Sequence, residues 1–378
     1  MAHLDLHRHL EGSHSPTALL EVARAFEIRD PSFYDVSEGR FRTPAELAAE
    51  ITMAGPSDDA SVFYRCIVKA RTAYISVAAI GALARAAFRD AAADSDGFEM
   101  RLSLFSMART LIENQHIDWR AMPPTEFAEH YARPILLEVI AARDEVRAET
   151  GTPMLLRLGL SRTFESEPHY RALGAMAIEH ASSLVGLDVL GILPPPDSEP
   201  LPDKLIEILE VMRRALPDLT IHAGEFAGHA SIDRTLALAP RGLGHGVHAL
   251  ESPATLERLA RDGVTLEVCP TSNRLLIPTR LAALERDHGG RTPLRALQNA
   301  GVHTVLGSDD PTPMGTTFRT ELEVARAAGV DLARLEADMH RRWTEITGAP
   351  LPAADSAGRA ERLHRATDVD RDAVGDHA

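Results

Sequence analysis

Cysteine, lysine, aromatic residues and long apolar runs are all scarce in this chain of 378 residues. Two cysteines, Cys66 and Cys269, are too few for a disulfide framework and fit packed thiols in a reducing compartment. No apolar stretch reaches the length that spans a bilayer, which excludes a helical membrane anchor. No charged-then-apolar leader precedes the first apolar segment, so a cytoplasmic location is expected. Positive charge is outweighed: the formal net charge is -15, so a phosphate backbone would be repelled overall and no nucleic-acid partner is expected. Among the basic residues only Lys69 and Lys204 are lysine; the rest are arginine. Low-complexity tracts and internal repeats are also absent. What remains is 44% hydrophobic and 25% charged residues, the balance of a soluble globular enzyme with a large core.

Short runs rich in Val, Leu and Ile alternate with longer helical patterns, as in repeated β-α units. Eight runs qualify: residues 3–10, 98–105, 153–160, 184–191, 219–223, 242–247, 264–269 and 303–309. Eight strands separated by helices predict an α/β fold, a closed (β/α)8 TIM-like barrel forming one domain over residues 1–350. Nearly ninety residues separate the first two runs, more than one crossover helix needs. This insertion, about residues 11–97, is expected to supply a helical lid over the barrel mouth. Its segment 43–74 reads as two helices around a Gly-Pro-Ser-Asp break. Residues 351–378 read as a polar, partly disordered tail.

The chemistry stands at the ends of the predicted strands. His7 and His9 are two apart, so on a strand both rings point to one face. Alone, such a pair is more often a polar surface feature. It gains meaning from partners: His222 at the tip of the fifth strand, His245 on the sixth, Asp309 and Asp310 after the eighth. In a barrel those C-terminal ends converge. Three imidazoles and a carboxylate around an open position suit zinc or another borderline divalent ion. Such an ion lowers the pKa of a bound water from about 16 to about 7. Glu225, three residues beyond His222, lies where a general acid is wanted; near a dication it is expected to begin ionised or to share the water's proton.

The motifs HRHLEGS, SRTF, HAGE, GHG, CPTSN and SDDP, in this order from about residue 3 to 345, resemble the adenosine deaminase family of the amidohydrolase superfamily. The resemblance implies a metal-dependent aminohydrolase of purine salvage with His7, His9, His222 and Asp309 as ligands of one ion, most simply Zn2+. It implies that Glu225 protonates a ring nitrogen, His245 orients the nucleophile and Asp310 bonds another ring nitrogen. It further places Glu11 against a sugar hydroxyl and Gly191 against the purine ring. Many members continue after that glycine as Ala-Gly-Asp-Glu; this chain reads VLGILPPPDSEP, an apolar, proline-stiffened loop in place of two acids.

The expected reaction is hydrolytic deamination of adenosine or a close 6-aminopurine nucleoside, with water and a small aminopurine as partners, no nucleic acid or membrane partner, and an oligomeric state that the sequence leaves open. The same chemistry on adenine, an N6-substituted purine, a nucleotide or aminofutalosine is the alternative. A catalytically silent binding member is a third reading, and no metal or acid position is lost that would favour it. Two-metal relatives use a carboxylated lysine on the fourth strand, where this chain has none. Zinc deaminases with Pro-Cys-x-x-Cys are excluded by the cysteine positions. His14, His229 and His248 are read as loop or supporting residues, Cys269 as a packed thiol, and Arg101 and Arg162 as structural before substrate-binding. GLGHG lacks the lysine and spacing of a phosphate loop.

Overall fold

The computed structural model describes residues 3–191 and 199–351. All eight expected strands form: β1 (Leu4–His9), β2 (Gly97–Leu102), β3 (Met154–Ser161), β4 (Gly186–Leu190), β5 (Leu219–Ala223), β6 (Gly242–His245), β7 (Thr265–Val268) and β8 (His303–Leu306). They pair in parallel and in chain order. The ring closes between its two ends: His9 N–H donates to the Asp309 carbonyl and Asp309 N–H to that of His7, both at 2.8 Å. The Asp5 carboxylate reinforces this seam by accepting from Ser308 N–H and Oγ. The fold is the anticipated (β/α)8 barrel.

Alternation along the strands sorts two kinds of side chain. Leu4, Leu6, Phe98, Met100, Leu102, Leu156, Leu158, Leu187, Val189, Ile221 and Leu266 belong to the apolar core shared with the helices. The intervening positions carry charge and meet across the barrel, where Arg101 of β2 contacts Asp188 of β4 and Glu267 of β7. Arg157 of β3 is paired with Glu99 and Asp218, and Arg342 with Asp218. The three arginines are fully buried. A barrel interior can hold so much charge only when each ion is matched, because stranding one costs several kcal/mol (about 3–5). Arg101 is thus structural, as read from the sequence.

The long insertion divides into two parts. Helices Pro44–Ile51 and Ser61–Arg71 flank the Gly-Pro-Ser-Asp break as expected, and the second brings Phe63, Tyr64, Ile67 and Arg71 to the cavity at the strand ends. Thr43 caps the first in a reciprocal box with Glu46. Helix Val77–Asp94 instead packs beside the barrel against helix Arg133–Thr150 and is the crossover before β2. The expected lid interval therefore included one ordinary barrel helix. Lys69 and Lys204 both sit on helices. Helices Phe318–Ala327 and Leu332–Thr347 follow β8. The predicted disordered tail, beyond Leu351, and residues 192–198 of the proline-rich loop lie outside the described residues.

Candidate active site

His7 and His9 leave β1 on one face, and their Nε2 atoms lie 3.3 Å apart. Asp309 Oδ1 is 3.7 Å from His7 Nε2 and 3.4 Å from His9 Nε2. The rings of His7 and His222 are 4.7 Å apart at their centroids, and ligand atoms of His7, His9 and His222 all fall within 4.8 Å of one another. His7 and His9 thus stand between two partners at the C-terminal end of the barrel, His222 on one side and Asp309 on the other. Burial, then the charges of Arg101 or His222, hold His7 and His9 well below the ordinary imidazole range, leaving neutral rings with lone pairs.

Carboxylates fix how two rings face. His7 Nδ1 donates to Glu267 Oε2 at 3.0 Å, and His222 Nδ1 donates to Asp188 Oδ1 at 3.1 Å. With Nδ1 carrying the proton, each Nε2 presents its lone pair to the cluster, as in many carboxylate–histidine–metal arrangements. Both acids stand alone in apolar strands and were not picked out from the sequence. Their signal was there: an acid at the centre of a buried strand needs a partner.

Glycine makes the close approach possible. A Cβ on Gly244 would lie 2.9 Å from His222 Cγ and 3.0 Å from His7 Cε1, and one on Gly12 would collide with Asp310. GHG and LEGS are therefore packing requirements of the site. His245 and Asp309 both adopt left-handed backbone, φ 60° and 62°, a conformation that costs non-glycine residues about 1–3 kcal/mol each. Strain of this kind persists where the surroundings over-determine it.

His245 Nε2 lies 3.5 Å from Glu225 Oε1 and 3.8 Å from Asp309 Oδ2. The Asn273 side-chain amide donates to His245 Nδ1 at 3.1 Å, which puts the proton of the neutral ring on Nε2, facing both acids. Burial, then Asp309 and Glu199, push the Glu225 carboxyl well above the usual range. Burial and Asp309 do the same for Asp310. The expectation of an ionised Glu225 assumed a dication beside it; the protein groups alone favour the acid form. Cys269 is buried, with its thiol pushed up by burial, and its Sγ lies within 4.8 Å of ligand atoms of His7, His245 and Asp309.

His9, His222, Glu225, His245, Asp309 and Asp310 line a cavity of about 610 Å³, counted out to its mouth, together with Glu11, Ser103, Gly191 and, from the insertion, Phe63, Tyr64, Ile67 and Arg71. Glu11 Oε1 accepts from Ser103 N–H at 3.1 Å and faces Arg71 Nη2 at 3.5 Å; Oε2 is buried without a partner. His14 bonds Tyr74, and His229 and His248 reach Glu251, all away from the cavity. Arg162 lies one residue beyond β3 and donates to the carbonyls of Glu199 and Pro200.

Glu199 corrects the reading of the proline-rich loop as a replacement of acids by apolar residues. Its buried carboxylate accepts from four consecutive backbone N–H groups: Gly224 at 2.7 Å, Glu225 at 2.9 Å, Phe226 at 2.8 Å and Ala227 at 3.2 Å. Ser231 Oγ adds a fifth bond at 2.6 Å.

A profile of the adenosine deaminase family matches residues 3–346. The chain belongs to the adenosine deaminase family. An adenosine deaminase of Erwinia tasmaniensis is 28% identical over 338 residues, covering 88% of this chain and 89% of the relative. An adenine deaminase of Mesorhizobium japonicum is 38% identical over 121 residues, 32% of this chain and 35% of the relative. The crystal structure of an adenine deaminase from Arthrobacter aurescens superposes with a TM-score of 0.69 at 19% identity, over 98% of this chain and 100% of that one. As a deaminase of this family the chain catalyses hydrolytic loss of an amine from a purine-type ring. No helix among the described residues is long and apolar enough to cross a membrane.

Proposed function

We propose that the protein is a zinc-dependent aminohydrolase that converts adenosine, or a close 6-aminopurine nucleoside, to the 6-oxo product and ammonia. The observation that carries this reading is that His7 and His9 cluster with His222 and lie within 3.7 Å of Asp309, at a cavity lined by His9, His222, Asp309, Glu225 and His245 together with Glu11, Gly191 and Asp310. The donor set of three imidazoles and one carboxylate fits a borderline divalent ion, with two of the rings pre-oriented by Glu267 and Asp188. Zinc bound there would supply Lewis acidity that makes water nucleophilic near neutral pH.

The chain's own groups do the rest. Glu225 holds a proton and gives it to a ring nitrogen, which draws electrons from the carbon bearing the amine. His245, its Nε2–H aimed between Glu225 and Asp309, orients the incoming water. Asp310 donates to a second ring nitrogen and fixes the purine plane. Water adds at the amine-bearing carbon and gives one proton to the Glu225 carboxylate, which restores the acid; its second proton passes to the amine, and ammonia departs as the C–N bond breaks. Gly191 flanks the ring, and Glu11 accepts from a sugar hydroxyl through its free Oε2. Helix Ser61–Arg71 acts as the lid, excluding bulk water through Phe63 and Ile67.

One feature favours a second reading. Arg71 meets Glu11 on the side assigned to the sugar, which shortens the cavity toward free adenine. An ammonia-release screen of the zinc-loaded enzyme decides, with adenosine, 2′-deoxyadenosine, adenine, AMP, N6-methyl derivatives and aminofutalosine. Turnover of adenosine supports the first reading. Turnover of adenine with none of adenosine replaces it by the second, and silence on all six refutes both.

A further inference from the structure

We infer that Glu199 is a positioning residue that sets the place of the Glu225 side chain. The inference rests on the deaminase reading of Glu225 and deepens it. Glu225 lies beyond the end of β5, on a turn of irregular backbone that no strand neighbour holds. Four successive N–H groups of that turn, residues 224–227, point inward to one spot. Converging N–H groups form an anion-binding nest, and left empty and buried they would each cost a hydrogen bond. Here the anion comes from the chain itself. Glu199 Oε2 takes Gly224 and the Ser231 hydroxyl, while Oε1 takes Glu225, Phe226 and Ala227.

The anchor is itself anchored. Arg162, fully buried at the end of β3, donates to the carbonyls of Glu199 at 3.3 Å and Pro200 at 3.2 Å. The path runs from a barrel strand through Arg162, the Glu199 backbone and the Glu199 carboxylate to the backbone of Glu225. A carboxylate is the group that fits, because it offers about four acceptor lone pairs and no donor. Glutamine keeps the shape but turns one end into a donor facing N–H groups.

The test is Glu199→Gln, with zinc content, melting temperature, kcat and KM measured on whichever 6-aminopurine the wild type turns over best. The expected result is full zinc content, KM within about threefold, and kcat lowered at least tenfold. The same substitution in a Glu225→Gln background should change kcat by less than twofold, since the group that Glu199 positions is already disabled. Wild-type kcat in Glu199→Gln, or an equal loss in both backgrounds, overturns the inference. So does a rise in KM with kcat unchanged. If Glu199→Gln does not fold, Ser231→Ala removes one of the five bonds: a twofold to fivefold fall in kcat with zinc retained supports the inference, and no change in kcat overturns it. A wild type inactive on every 6-aminopurine would refute the deaminase reading instead, so the two failures are distinguishable.

Discussion

Asp188→Asn separates the ligand rings from what holds them. Asp188 is fully buried on β4, with Oδ1 3.1 Å from His222 Nδ1 and Oδ2 3.1 Å from Arg101 Nη1. Burial works against its charge, but His222 and Arg101 prevail and hold the carboxyl well below the ordinary range. Asparagine has the same shape and one acceptor instead of two. With its oxygen toward His222, its NH2 group faces the Arg101 guanidinium, donor against donor. Turned over, it satisfies Arg101 but donates to His222 Nδ1, which moves the ring proton to Nε2 and removes the lone pair that a metal needs. Either way the ligating form of His222 is disfavoured. Loss of a supporting carboxylate of this kind costs about 10- to 100-fold in metal affinity, or about 1.4–2.7 kcal/mol. Folding of the metal-free protein should suffer less than the roughly 3–5 kcal/mol of a broken buried pair, because Arg101 keeps Glu99 and Glu267. Zinc titration of apoprotein against a chromogenic chelator measures the first quantity and thermal melts the second. Zinc affinity within twofold of wild type, in a variant that melts cooperatively, would refute the claim that Asp188 fixes the His222 tautomer.

Glu225→Gln should bind zinc as the wild type does and lose about 10²- to 10⁴-fold in turnover, the usual worth of a general acid; undiminished turnover would remove Glu225 from that role. Gly244→Ala drives a methyl group to 2.9 Å from the His222 ring and 3.0 Å from that of His7, so it should destabilise by about 1–3 kcal/mol and weaken zinc binding. Unaltered melting temperature and zinc affinity would mean that the rings yield at no cost. Asp218 sits between Arg157 and Arg342, which outweigh its burial and hold its carboxyl well below the ordinary carboxylate range. A depressed folded pKa gives stability that is complete above the unfolded value and is lost as pH falls below about 4. Melts of Asp218→Asn should therefore depend less steeply on acid than those of wild type, and equal slopes would show that the pairing contributes nothing.

The barrel and the clustering of His7, His9, His222 and Asp309 at its strand ends were legible because both depend on short-range rules. Period-two alternation predicts that His7 and His9 share a face, and strand ends mark where His222, His245 and Asp309 must converge. Glu267, Asp188 and Glu199 were not legible in the same way. Each acts on a residue far away in the chain, such as Glu267 on His7, and nothing local names the partner. The first two left a trace as isolated acids in apolar strands, matched by the equally isolated Arg101 and Arg157. Glu199 left less, because a turn of four N–H groups does not show in residue types and the intervening loop obscures the alignment with the family's own acids. The division of the insertion into a helix that lines the cavity, Ser61–Arg71, and the crossover helix Val77–Asp94 was hidden for a related reason. Helical periodicity shows that a segment is amphipathic, not which neighbour its apolar face meets.

The seam of the barrel explains why these two kinds of residue are supported so differently. His7, His9 and Asp309 exchange the backbone hydrogen bonds that join β1 to the chain leaving β8, so the atoms that would grip the ion are fixed by the same bonds that close the ring. Their geometry is a property of the sheet, and the left-handed backbone at Asp309 is held there at the expense of the whole barrel. A general acid cannot be mounted in this way. It must stand above the plane of the ligands to reach a ring nitrogen, and a residue above the end of a strand has no ladder to hold it. Sites carried on loops are looser than sites carried on strands unless something else restrains them. Five hydrogen bonds to a buried carboxylate replace the missing ladder at Glu225, so the precision of the acid rests on Glu199 as that of the ligands rests on the seam.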